Sequence, residues 1–159
     1  MSAEAGRTSA PIALPSSAIA SSSMTLLAYN ESESKLTVLA LNRFFKDTPR
    51  RQKVFAKFAN VPLDGLKSDA HFVKQATLVA DRLDNLIATM DDTLQVLGQI
   101  NYLAFSHVPR NVDKLQFDDF ATIFMDALKE RGVSVDDIDS WKGTLTTLIA
   151  GIDRVQKQA

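Results

Sequence analysis

The sequence predicts an all-α protein, and three observations carry that prediction. Apolar residues recur at intervals of three and four through most of the chain, strand-like alternation is nowhere sustained, and only six glycines interrupt 159 residues. A chain of this length, 45% hydrophobic and 23% charged, falls in the size range of one compact domain. The 18 basic and 19 acidic residues leave a formal charge of −1. That balance offers no net attraction to a phosphate backbone or an anionic membrane, so nucleic acid and membrane are not expected partners.

The first 23 residues contain seven Ser and six Ala with Pro11 and Pro15, too little bulky apolar surface to offset the entropy of ordering. Residues 1–13 read as a flexible tail and residues 14–157 as the folded domain. Glu4 near the start, and the interrupting prolines and serines, do not fit a secretory signal, and a cytoplasmic location is the expectation. Ile19 through Tyr29 reads as a first helix before a polar stretch, and Ser34 is placed to cap the second. That second helix carries Leu36, Leu39, Ala40 and Phe44 on one side, and Pro49 restricts Thr48 to end or redirect it. Phe55 and Phe58 anchor a short turn.

Pro62 and Asp64-Gly65 punctuate the connection to a third long helix, whose Phe72, Ala76, Val79, Leu83, Leu86 and Met90 step by four and three along a buried face. A fourth helix runs from about Thr93 through Val96, Ile100 and Leu103 to His107, where Pro109 forces its end. Asp113 is a fitting N-cap for a fifth, bearing Phe117, Phe120, Phe124 and Leu128 and ending near Arg131-Gly132. Asp136, Asp137 and Asp139 favour the start of a last helix with Trp141, Leu145, Leu148 and Ile152 on one face. No apolar stretch approaches the eighteen or so residues that a membrane span requires.

Reactive groups are scarce. The absence of cysteine excludes disulfides, thiolate zinc sites, iron–sulfur clusters, cysteine nucleophiles and thioether-linked chromophores. Neither a Gly-x-Ser-x-Gly turn nor a glycine-rich phosphate loop occurs. Asp91-Asp92 and Asp118-Asp119 read as solvated helix ends and faces. Of the two histidines, His71 and His107, the second closes an apolar stripe inside the segment Leu-Ala-Phe-Ser-His-Val-Pro-Arg-Asn-Val. By itself that histidine could simply finish a helix.

Intervals around it supply more. Leu41 precedes Pro49 by eight residues, Pro49 precedes Phe55 by six, Phe55 to Gln75 spans twenty, and Gln75 to His107 spans thirty-two. Together with Phe72-Val73-Lys74-Gln75-Ala76, the His107 segment and Trp141 in the last helix, this assembly resembles the globin family, of the invertebrate type. The resemblance runs from about Leu14 to Val155. It is weaker in the first helix, where Met24 stands at a position usually held by Trp.

The resemblance implies a globin fold of about six to eight helices around a b-type haem. It implies that neutral His107 holds the iron through one imidazole nitrogen while Ser106 and a backbone carbonyl of the preceding turn orient the ring. Gln75 falls where many globins place a distal histidine; its amide offers an N–H donor to a bound diatomic gas and cannot titrate. Leu41, Phe55 and Val79 would keep the gas side dry, Leu103 and Val112 would pack the haem, and Arg110 would meet a propionate. Burial alone accounts equally for Phe55, Phe58, Leu103 and Val112, and a solvated Arg110 or a surface Gln75 fits the same sequence.

Reversible binding of oxygen or another diatomic gas is the function so implied, with no enzyme activity required. A rival reading uses the haem for nitric oxide or peroxide chemistry, electron transfer or sensing, with His71 as an internal sixth ligand. His71 at the iron would shorten the interval from Phe55 to sixteen, which fits badly. Gln75 cannot shuttle a proton, and turnover would need an outside electron-donor reductase. A haemless interaction module is the third reading. Oligomeric state is not legible in one sequence.

Overall fold

Among residues 33–159, which the computed structural model describes, the chain forms seven α-helices and no strand. They are α1 (Glu33–Asp47), α2 (Pro49–Gln52), α3 (Leu63–Leu66), α4 (Ala70–Ala88), α5 (Thr93–His107), α6 (Lys114–Glu130) and α7 (Val135–Gln158), with a 3-10 turn at Val108–Arg110. The tail and the first helix expected at Ile19–Tyr29 lie outside the described residues, as does the side chain of Ser34, the expected cap.

Local signals set most boundaries. Thr48 leaves the helical region at φ −134°, ψ 76° before Pro49, which opens α2 at the position where its missing N–H costs nothing. The Asp69, Asp92 and Ser134 side chains accept the N–H groups of Phe72, Gln95 and Asp137 at the starts of α4, α5 and α7. Asp113 and Gln116 open α6 with a reciprocal capping box, and Gly132, at φ 82°, takes the left-handed turn after its end. Two expectations are corrected. The connection after Pro62 contains a one-turn helix that fully buries Leu66, and Met90 is buried beyond the end of α4.

Helix α1 packs against α4 and α6, α6 against α7, and α7 against α5. The core falls into three clusters. One gathers α1, α6 and α7 around Phe124 and Trp141, whose rings meet edge to face at 5.4 Å. A second holds Leu41, Phe45, Phe58, Leu66, Phe72 and Ala76, with Phe44, Phe55 and Val79 against it. A third joins α5 to α7 through Val96, Ile100, Ala104, Leu148 and Ile152, with Leu103 and Phe117 alongside. Burying side chains of this size contributes about 1.5–3 kcal/mol each, which offsets the cost of ordering the helices.

Candidate functional site

His107 is the last residue of α5, half-buried, its ring tilted against Phe117 at 5.0 Å between centroids. Its Nδ1 lies 2.8 Å from the Leu103 carbonyl oxygen, one turn back, and 3.1 Å from the Ser106 hydroxyl oxygen. A carbonyl can only accept, so Nδ1 carries the proton and donates it. Ser106 donates its own hydroxyl to the same carbonyl at 3.2 Å, which leaves its oxygen free to accept from the ring. The Nε2 lone pair is therefore left free of that hydrogen bonding.

Electrostatics keep it so. Burial holds the imidazole below its ordinary pKa, and the Arg110 charge acts in the same direction, against the opposing hydrogen bond to Leu103. The ring is neutral at pH 7, the form that binds metals.

The corner after His107 is tied at three points. Asn111 takes the left-handed conformation at φ 55°, which Asn tolerates, and its carbonyl accepts from Arg51 Nη1 at 2.9 Å. The Val112 N–H donates to the His107 carbonyl at 3.2 Å. From α7, Gln156 donates its amide to the carbonyls of Val112 at 2.9 Å and Ala104 at 3.3 Å. Arg51 and Gln156 escaped the sequence reading because their partners lie 60 and 44 residues away.

On the other side, Leu41, Phe55 and Val79 are brought into one apolar cluster by α1, the α2–α3 connection and α4. Phe55 stacks on Phe58 at 4.9 Å with planes 13° apart, and both meet Phe45. Buried Gln52 holds that connection in shape, donating its amide to the Phe58 and Val61 carbonyls at 2.8 and 2.7 Å. Gln75 is half-buried one turn before Val79, and its amide makes no hydrogen bond among the described residues. His71 is exposed in the first turn of α4. Arg110 is exposed as well and donates to the Ser106 carbonyl. The expected residues thus form two groups: Leu41, Phe55 and Val79 in one cluster, and Leu103 in another beside His107. A crevice of about 410 Å³ bordered by Lys35, Val38, Leu39, Lys67, Val73 and Arg131 shares no residue with them.

The all-helical packing, with His107 at a helix end and its ring oriented through Nδ1, fits the expected globin class. Comparison with known proteins agrees: the family model described as Globin matches residues 38–152. A globin of Nerita albicilla is 35% identical over 121 residues, 74% of this chain and 77% of that one. Globin CTT-VI of Chironomus thummi thummi is 34% identical over 54% of each chain. Among solved structures, a Drosophila melanogaster globin superposes with a TM-score of 0.80 at 21% identity, over 87% of this chain and 93% of that one. A hexacoordinated heme protein from an anhydrobiotic tardigrade gives 0.81 at 16% identity, over 92% and 97%. The chain belongs to the globin family. No described helix is long and apolar enough to cross a membrane.

Proposed function

We propose that this globin binds a b-type haem through His107 Nε2 and reversibly binds oxygen or another diatomic gas, storing or delivering it. The observation that carries the reading is the 2.8 Å bond from His107 Nδ1 to the Leu103 carbonyl, which fixes the tautomer and leaves Nε2 as the ligand atom. The donor set fits the group: one neutral imidazole, with aromatic and aliphatic side chains around it and no second described histidine buried beside it. When bound, haem supplies a ferrous iron with an open position for a diatomic gas.

The chain's own residues do the rest. Leu41, Phe55 and Val79 exclude water, which slows oxidation of ferrous iron. Gln75 presents an N–H donor to the ligand, with an amide that no other described group occupies and that mild acid cannot protonate. Leu103 and Val112 pack the haem, and Arg110, released from the Ser106 carbonyl, reaches a propionate. Arg51, whose buried Nε has no partner beside Asn111, is a second donor suited to a carboxylate.

Absorption spectra of the haem-reconstituted full chain, ferric, deoxy-ferrous and oxygenated, beside His107→Ala, test this reading. A five-coordinate deoxy spectrum that converts stably to an oxy form, and is lost in the variant, is expected. Failure to bind haem stoichiometrically would overturn it. A six-coordinate ferrous spectrum without added ligand would replace gas carriage with redox or sensing chemistry.

A further inference from the structure

The crevice that shares no residue with the His107 site has a composition of its own. Lys35, Val38 and Leu39 border it from α1 and Val73 from α4, while Lys67 and Arg131 reach it from the turns that follow α3 and α6. The three aliphatic side chains are half-buried and the three cationic residues are exposed. Its described border carries no Asp, Glu or aromatic residue.

Positive charge is left over there. The side chains of Lys35, Lys67 and Arg131 enter no ion pair among the described residues. Carboxylates beside them in sequence are engaged elsewhere: Glu130 pairs with Arg43, and Asp69 accepts the Phe72 N–H. The whole chain carries a formal charge of −1, so this cluster is a local excess and not a reflection of composition. An exposed cation by itself holds an anion weakly in water, and an aliphatic floor by itself holds a hydrocarbon without orienting it. Together they select a molecule that has both parts. The volume of about 410 Å³ lies in the range of small-molecule sites. At about 30 Å³ for each water-sized group, it holds about thirteen non-hydrogen atoms.

We propose that this crevice binds an aliphatic carboxylate of about ten carbons, its head held by Arg131 with Lys35 and Lys67 and its chain lying on Val38, Leu39 and Val73. The Arg131 guanidinium matches a carboxylate with two parallel N–H groups, and the methylene stems of the lysines extend the apolar floor. An aromatic body would find no ring to stack against among the bordering residues, which favours an alkyl chain. The His107 site shares none of these residues, so haem and the carboxylate can be held at once.

Titration calorimetry with sodium decanoate tests the proposal on the full chain, loaded with haem so that the haem pocket is filled. One site with a dissociation constant below about 1 mM is expected. Lys67→Glu combined with Arg131→Glu should weaken it at least tenfold. Lys142→Glu, the same charge change at an exposed lysine of α7, should leave it unaltered, with helical circular dichroism retained throughout. Decanol, which lacks the charge, and hexanoate, whose chain is shorter, should each bind at least tenfold more weakly than decanoate. The crevice variants locate the site whether or not haem is bound, so a failure to load haem leaves the result readable. Absence of binding at millimolar decanoate would overturn the proposal, as would decanol binding as well as decanoate or an affinity indifferent to the double substitution. Decyl phosphate binding tenfold more tightly than decanoate would overturn the carboxylate head.

Discussion

His107 Nδ1 and the Leu103 carbonyl lie 2.8 Å apart across one turn of α5, so the helix that carries the imidazole also chooses its tautomer. The Leu103 oxygen is a backbone atom that no substitution removes. Ser106 supplies the adjustable part, its hydroxyl lying 3.1 Å from Nδ1 and 3.2 Å from the carbonyl. Ser106→Ala should therefore leave haem bound but speed its loss to an excess of apomyoglobin by about threefold to tenfold, near the lower limit for removing an orienting partner. A loss rate equal to wild type would assign all orientation to the backbone.

The lowered pKa of His107 has a consequence for the haem-free protein. A base whose pKa is lower folded than unfolded binds its proton preferentially in the unfolded chain, so acid favours unfolding. Its contribution is fully present above the ordinary histidine value of about 6.5 and is lost as pH falls through the folded value. Urea unfolding of the apoprotein should show lower stability at pH 5.5 than at pH 7.5, and His107→Gln should flatten that difference. An unchanged pH dependence in the variant would place the titration elsewhere.

Gln75 and Val79 lie on one face of α4, but only Gln75 brings a donor. One net hydrogen bond contributes about 1 kcal/mol, so Gln75→Leu should raise the oxygen dissociation rate by roughly fivefold to tenfold. Carbon monoxide, which accepts hydrogen bonds poorly, should leave at nearly the wild-type rate. Stopped-flow ligand replacement reads both, and equal effects on the two gases would point to a steric role instead. With glutamine in place, oxygen dissociation should stay flat from pH 7.5 to pH 5.5.

Gln156 joins the end of α7 to the corner that follows His107. The Ala104 carbonyl retains the Val108 N–H if Gln156 is lost, so the cost falls mainly on Val112. Gln156→Leu should destabilise the apoprotein by about 1–2 kcal/mol, the penalty for one carbonyl left without its partner. Urea midpoints measure it, and a change below about 0.3 kcal/mol would show that water replaces the amide.

Helix ends were legible because their causes are local. Asp113 and Gly132 act within a few residues of themselves, and Pro49 constrains its immediate neighbour. The His107 segment was legible for the same reason, since both partners of its Nδ1 lie within one turn. The family followed from intervals along the chain.

Long-range packing left no such trace. Phe44 and Phe45 are adjacent and chemically identical, yet Phe45 is 1% exposed and centres the aromatic cluster while Phe44 lies at its margin. The side of α1 on which α4 and α6 pack makes that choice. Gln52, Arg51 and Gln156 read as ordinary polar residues until folding brings carbonyls of other segments within 2.7–2.9 Å of their side chains. Helical periodicity marks α5 as apolar but cannot say which apolar side is covered. The core claims Ile100 and leaves Phe105 in solvent, because burial depends on which neighbouring helices arrive and from which direction.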